Sequence, residues 1–405
     1  VLPFAALLVA IALVPFAAPR FWGRHYGKVA LAAGAPVAVW FLFAFPGTLL
    51  RTAHEYFSFL CLVGSLFVVS GGILVRGAPR ATVRSNSAFL LLGACLANVF
   101  GTTGASILLA RPLLRSNGHR ARKGHVMVFF IFLVGNVGGL LSPIGDPPLF
   151  LGYLQGVPFS WPLVRLFPLW LAAVAAILAV FVLVDRTVFR REEGKEPFAA
   201  AAAAEETEPL AIEGKGNLLL LALVVLSALL PAPWREVAMT LCAAASLRLT
   251  PASTRERNGF TWHPVKEVAI LFGAIFATMM PALLILEARG GEIPLRTPLH
   301  FFWITGVLSS FLDNAPTYLT FFHLARSLPA AGPTVAGVPE TVLAAISAGA
   351  VFMGANSYIG NAPNFMVRSI AEEGGVEMPS FLGYMAWAAA VLLPVFLVLS
   401  LLFFR

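Results

Sequence analysis

Apolar residues gather in long runs near 2–18, 28–46, 53–75, 86–112, 125–152 and 160–185. After one polar interval they recur near 217–231, 233–248, 265–288, 300–327, 340–367 and 379–404. Most of these runs approach the roughly 20 apolar residues that a helix needs to cross a bilayer. Shifting the first six by 215 residues lands on or close to the second six, the second pair matching least well. The chain therefore reads as one six-element unit used twice: residues 1–185, a joining segment 186–216 and residues 217–405.

Two of the runs are broken at matching places. Ser142-Pro143-Ile144-Gly145-Asp146-Pro147-Pro148-Leu149-Phe150 interrupts the fifth, and Ser357-Tyr358-Ile359-Gly360-Asn361-Ala362-Pro363-Asn364-Phe365 interrupts its counterpart at the same offset. Proline removes a backbone donor and clashes with the preceding turn, while glycine weakens a helix, so both stretches predict broken helices. In lipid such a break is tolerated only where it lines a cavity or lies buried in protein. Paired interruptions in two halves point to a transporter's binding site.

The fourth run of each half predicts a re-entrant hairpin. Short apolar arms, 86–97 and 103–113, flank Asn98-Val99-Phe100-Gly101-Thr102; arms 300–312 and 317–328 flank Asp313-Asn314-Ala315-Pro316. If neither hairpin crosses, each half has five crossings, and the odd number turns the second half over. With the joining segment cytoplasmic, the inside loops then carry Arg20, Arg24 and Lys28, Arg76, Arg80 and Arg84, and Arg111, Arg115, Arg120, Arg122 and Lys123. They also carry Arg186, Arg190, Arg191, Lys195, Lys215, Arg248, Arg255, Arg257, Lys266 and Arg368. That bias follows the positive-inside rule and leaves both termini outside.

Composition agrees. The chain is 59% hydrophobic and 12% charged, about half the charge of a soluble domain, and the expected class is an all-α polytopic membrane protein. Its setting is expected to be a bacterial inner (cell) membrane. The net charge of +8 is spread over span ends rather than along one stripe, which excludes nucleic acid as partner. Cys61, Cys95 and Cys242 have no metal-type spacing and read as small buried hydrophobes. Trp22, Trp161, Trp234 and Trp262 fall near span ends, as interfacial anchors do. Val1 in place of Met reads as a trimmed N-terminus, and residues 1–18 do not read as a cleaved signal. The joining segment, with alanines 199–204 and Glu205-Glu206-Thr207-Glu208, reads as a plain linker.

The 215-residue offset also pairs polar residues: Asn98 with Asp313, Thr102 with Thr317, and Asp146 with Asn361. Each half thus supplies one Asp and one Asn at exchanged positions, and a pseudo-twofold axis would bring all four together near the midplane. An aspartate there costs about 2.5–3.5 kcal/mol on insertion scales and usually has a function. The plainer alternative is an aspartate that only caps a broken half-helix. Two carboxylates close together do not both ionise freely, whereas a cation between them favours the doubly charged form. Na+ and H+ would compete for the same oxygens, with Ser142, Ser357, Thr102, Thr317 and freed carbonyls as further hard ligands. No resident cofactor is expected, and a free carboxylate substrate would meet like charge with no Arg or Lys placed near the motifs.

The stretches Ser142–Phe150, Leu312–Tyr318 and Gly360–Phe365 resemble the ion transporter superfamily, specifically its NhaD-type sodium/proton antiporter and putative citrate-transporter-like branch. The resemblance covers both halves. It implies an inverted-repeat homodimer in which a moving domain carries the site past a scaffold in an elevator motion. Its ion-motif acids carry over to Asp146 and Asp313, and its hairpin-tip polar residue to Asn98; Asn314, Gly145 and Gly360 belong to the same motifs. The chain departs at Pro147-Pro148-Leu149-Phe150, where the branch has a Thr-rich run. Relatives that carry carboxylates use Ser-Asn-Thr tips, which Asn98–Thr103 matches in part. Na+/H+ exchange is therefore the first expectation, and Na+- or H+-coupled citrate or dicarboxylate transport the alternative.

Other polar residues carry weaker signals. His54-Glu55 lacks a second histidine at the zinc spacing, since Ser58 stands there, and reads as an interfacial pair. Glu287 and Arg289 read as surface residues at an outer end, and His323 as a packing histidine. Cys95 raises thiol–metalloid chemistry but has no partner thiol. No nucleophile–base or metal pair is placed at depth, which argues against an enzyme. Paired broken helices favour alternating access over a channel.

Overall fold

Prolines set the first helix boundaries. A computed structural model describes residues 1–76, 81–192, 211–289, 295–329 and 332–405 of the chain. In it α1 (Leu2–Ala17), α2 (Pro19–Ala44) and α3 (Pro46–Ser70) are joined by the single residues Ala18 and Phe45. Each helix has Pro in its first turn, where the missing N–H has no intrahelical partner to lose. There follow α4 (Val83–Ser116), α5 (Gly124–Leu133), α6 (Pro147–Leu154) and α7 (Trp161–Glu192). The second half holds α8 (Gly216–Ser227), α9 (Trp234–Leu249), α10 (Ala252–Arg257) and α11 (His263–Arg289). It continues with α12 (Pro298–Ser309), α13 (Asn314–Arg326), α14 (Glu340–Met353), α15 (Ala362–Glu373) and α16 (Phe381–Phe403). Among the described residues, seven helical segments are long and apolar enough to cross a membrane. Together with the outward-facing Leu, Val and Phe side chains, such as Phe43 and Leu402, they make this an all-α polytopic membrane protein.

One of the seven, α4, doubles back on itself. Asn86 and Asn117 exchange side-chain hydrogen bonds of 3.0 Å each, although 31 residues of straight helix would hold them about 46 Å apart. Gly101, at φ +73°, makes the reversal, a conformation open to glycine at no steric cost. The turn is tighter than the polar tip 98–102 that the sequence suggests, because helical geometry persists on both sides of this one residue. The arms also reach further, to Val83 and Ser116. α12 and α13 form the second hairpin, with the rings of Phe301 and Phe321 6.3 Å apart. Its break covers 310–313, and Asn314 is already helical.

The base of the first hairpin is held by charge. Arg120 lies 2.6 Å from Asp185 of α7, both side chains fully buried, and His125 Nε2 lies 2.8 Å from the same carboxylate oxygen. Arg120, expected among solvated loop residues, is thus an interior residue, because Asp185 and Asn117 supply the partners that water would. Arg255 is likewise buried. It donates to the Val68 carbonyl at the C-terminus of α3 (2.7 Å) and stacks on Phe260, where the helix dipole offsets its charge.

Several smaller expectations shift. Strand β1 (Leu74–Arg76) pairs antiparallel with β2 (Ala211–Glu213), and Arg257 forks onto Glu213 at 3.1 and 2.5 Å. The end of the linker is therefore stitched to both halves, while residues 193–210, with their alanine and glutamate runs, and Arg80 lie outside the described residues, as does the side chain of Glu287. A second small ribbon pairs β3 (Thr334–Val335) with β4 (Val338–Pro339). Trp22 and Trp161 are packed into the core, whereas Trp234 and Trp262 are exposed. Cys95 is exposed, and Cys61 and Cys242 are half-buried, so none of the three is the buried hydrophobe the sequence suggests. His323 is buried against Phe322, and Glu55 accepts from Arg51 and Gln155.

Candidate functional site

The two broken helices share one local construction. In each, a serine hydroxyl accepts the backbone N–H three residues on, Gly145 to Ser142 (2.9 Å) and Gly360 to Ser357 (3.1 Å). The same hydroxyls donate to carbonyls of the neighbouring hairpin, Ser142 to Asn98 at 2.5 Å and Ser357 to Ser310. Gly145 packs so closely on Gly139 that a Cβ would stand 2.2 Å from the Gly139 carbonyl oxygen; Gly360 meets Gly354 in the same way at 2.5 Å. After each clamp, Pro147 or Pro363 restarts a helix within its first two residues. Asp146 and Asn361 occupy the two N-cap positions with extended backbone.

Neither N-cap side chain caps its helix. The Asp146 carboxylate, 1% exposed, instead accepts three side-chain donors from three other elements. Thr102 Oγ1 at the first hairpin's turn donates to Oδ1 (3.0 Å), Asn361 Nδ2 of the second broken helix donates to Oδ1 (3.1 Å), and Asn314 Nδ2 at the second hairpin's tip donates to Oδ2 (2.6 Å). Charge-assisted bonds of this kind are about twice as strong as neutral ones. Asn314 Oδ1 is buried without a hydrogen-bond partner, an acceptor facing no donor.

Asp313 is placed differently. It is half-buried, and its carboxylate caps α13 by accepting from Ala315 N (3.1 Å); the capping alternative describes its bond here. It still adjoins Asn314, which donates to Asp146. The structure thus brings Asp146, Thr102, Asn314 and Asn361 into direct contact, with Asp313 beside them. Thr317 turns its hydroxyl back to the Asp313 carbonyl (2.9 Å), and Asn98 Oδ1 accepts from Leu141 N (2.8 Å). Ser142, Ser357, Asn98 and Thr317 therefore hold the main chain in shape, and Gly145 and Gly360 let the segments approach.

Sequence reasoning passed over two residues. Asn136, in the unwound stretch before Ser142, donates to Asn364 Oδ1 (2.7 Å) and accepts from Asn361 (3.2 Å). Asn364 donates to the Gly354 and Ser357 carbonyls, 2.8 Å each. Both are fully buried. The signal was an amide beside glycine in an otherwise apolar run, but Asn136 has no polar counterpart at the repeat offset, where Val351 stands.

A cavity opens along the first broken helix, between α3 (Phe59, Leu62, Leu66), the first hairpin's turn (Phe100, Thr102) and Ile144, and Asp146 is not among the residues that line it. No charged side chain lines it. One basic group does approach a motif, contrary to expectation: Arg368 of α15 stacks over the Tyr358 ring at 4.7 Å, because one helical turn and a half brings it back over the unwound segment. Among the described residues, no group of three His, Cys, Asp or Glu could hold a resident metal.

The chain matches, over residues 1–404, the model of a family described as "Putative citrate transport". No curated protein matches it.

Proposed function

The chain belongs to the family described as "Putative citrate transport", a membrane transporter family, and from the geometry of the site we propose a secondary active transporter that exchanges Na+ for H+ at Asp146 and Asp313. One observation carries this reading: Asp146 stands at an N-cap yet spends its carboxylate on donors from both hairpins and the other broken helix. A buried anion held by three elements senses their relative position, which is what coupling ion occupancy to movement requires. A cation arriving at Asp146 displaces donors and finds the oxygens of Thr102, Asn314 and Asp313 within reach. A proton satisfies the same carboxylate, so the two ions exclude each other.

In this proposal residues 1–185 and 217–405 are inverted repeats joined by a cytoplasmic linker at 186–216. The shared construction of the two broken helices and the paired hairpins support it. Each hairpin is re-entrant, both termini lie outside, the protein is a homodimer in a bacterial inner membrane, and the motion is of the elevator type. An ion-replacement flux assay tests the exchange: Na+ added to proteoliposomes dissipates an imposed pH gradient. Proteoliposomes that hold their gradient in Na+ would sink the reading.

The family description favours a second reading, Na+- or H+-coupled transport of citrate or a dicarboxylate, with Asp146 in the coupling-ion site. The uncharged cavity lining weighs against it, since Thr102 and Thr103 are the only polar side chains a free tricarboxylate would find there. Uptake of labelled citrate driven by a sodium gradient decides for it.

A further inference from the structure

Three amides stand in line behind the carboxylate of Asp146. Asn364 Nδ2 meets the carbonyls of Gly354 and Ser357, both at 2.8 Å. A carbonyl only accepts, so the orientation of this amide is set, and its Oδ1 faces Asn136 Nδ2 at 2.7 Å. Asn136 Nδ2 also meets the Ile131 carbonyl at 2.8 Å, which turns Asn136 Oδ1 toward Asn361. Asn361 Nδ2 then lies 3.2 Å from Asn136 Oδ1, 3.2 Å from the Gly135 carbonyl and 3.1 Å from Asp146 Oδ1. An isolated asparagine presents either end of its amide at similar cost. Here reversing any of the three sets oxygen against oxygen in the interior.

Asn314 is not held in this way. Its Nδ2 meets Asp146 Oδ2 at 2.6 Å, but its buried Oδ1 has no partner. Of the two amides on the carboxylate, Asn361 is therefore fixed by groups other than Asp146, while Asn314 is held only by its bond to the carboxylate itself, which a cation there would replace.

We infer that Asn136 is a positioning residue of the Asp146 site: it holds Asn361 as a fixed donor and leaves Asn314 as the amide that turns its oxygen to an incoming cation. This rests on the cation site proposed above and deepens it. With Asn361 fixed, Asp146 keeps one donor in every state, and ion-dependent rearrangement falls on the tip of the second hairpin.

The test is a double-mutant cycle on the full chain in proteoliposomes, read as the Na+ concentration that half-maximally dissipates an imposed pH gradient. Asn136→Ala is expected to raise that concentration roughly tenfold, as for one lost hydrogen bond acting on a charged site, with the maximal rate kept within about twofold. In an Asn361→Ala background the same change is expected to add less than about twofold, because the residue it positions is gone. Where Asn361→Ala is too slow to assay, the Na+-dependent rise in melting temperature of the purified proteins gives the same comparison. Asn364→Ala, one link further back, shifts the value the same way by a smaller factor and stands in if Asn136→Ala does not fold. Equal factors in both backgrounds, no shift, or a loss confined to the maximal rate overturns the assignment. Wild-type vesicles without Na+-dependent proton movement overturn the exchange reading itself, and that result is seen before any substitution is made.

Discussion

Asn314 donates to Asp146 across 2.6 Å although 168 residues of chain separate them. The bond joins the tip of the second hairpin to the first broken helix, and so one half of the molecule to the other. Thr102 and Asn361 converge on the same carboxylate. Asp146 is thus a joint between both hairpins and both broken helices as well as a candidate ion ligand, and the consequences of altering it differ from those of altering Asp313.

Asp146→Asn replaces an acceptor of three bonds with an amide that faces three donors. Each donor left unpaired costs about 1–3 kcal/mol. Na+-driven proton movement is expected to fall to the level of empty vesicles, and the melting temperature to drop as well. Asp313→Asn, whose amide oxygen can still accept the one backbone bond from Ala315 N, is expected to abolish exchange with a smaller thermal penalty. Exchange that survives in both single variants contradicts a shared site.

Competition between the two ions gives a signed pH dependence. A proton on either carboxylate removes the charge that Na+ needs, so the half-saturating Na+ concentration rises as pH falls, by up to about tenfold per unit for one competing proton. Flux titrations at a series of pH values read this directly. An affinity for Na+ that does not move with pH means that the ions bind apart.

Gly145 has no room for a side chain. A Cβ there would sit 2.2 Å from the Gly139 carbonyl oxygen, an atom fixed in the backbone. Gly145→Ala is expected to destabilise by about 1–3 kcal/mol or to displace the clamp that presents Asp146. Gly64→Ala, with nothing within 4 Å of the added atom, serves as control. Thermal denaturation in detergent separates the two, and equal melting temperatures would refute the packing described.

Removing Arg120 from the buried Arg120–Asp185 pair leaves the carboxylate with His125 and Asn86 in place of its closest cation. Arg120→Met alone is expected to cost about 3–5 kcal/mol, and a second change, Asp185→Leu, to restore much of it. Melting temperatures of the single and double variants check this. Two independent, additive losses would mean that the charges do not depend on each other.

The hairpin at α4 predicts that Arg84→Cys and Gly118→Cys, at the exposed ends of its two arms, in a background lacking Cys61, Cys95 and Cys242, react with a membrane-impermeant thiol reagent from the same face of the vesicle. Reaction from opposite faces would show that the segment crosses, as its length alone suggests.

Much of this was legible in the residues themselves. Apolar run length reports helices because the bilayer demands them, and Pro147 and Pro363 mark restarts because their rings forbid anything else. The offset of 215 residues even pairs Asp146 with Asn361, which prove to be hydrogen-bonded to each other. What tertiary structure alone decided is where each polar atom is spent. Asp146 and Asp313 look equivalent in sequence, yet one serves three distant donors and the other caps its own helix. Ser142 and Ser357 look like ligands but hold the backbone, and Asn136 looked like nothing at all. A hydrogen bond depends on the direction and distance of two groups, and groups 168 or 215 residues apart acquire both only when the chain has folded.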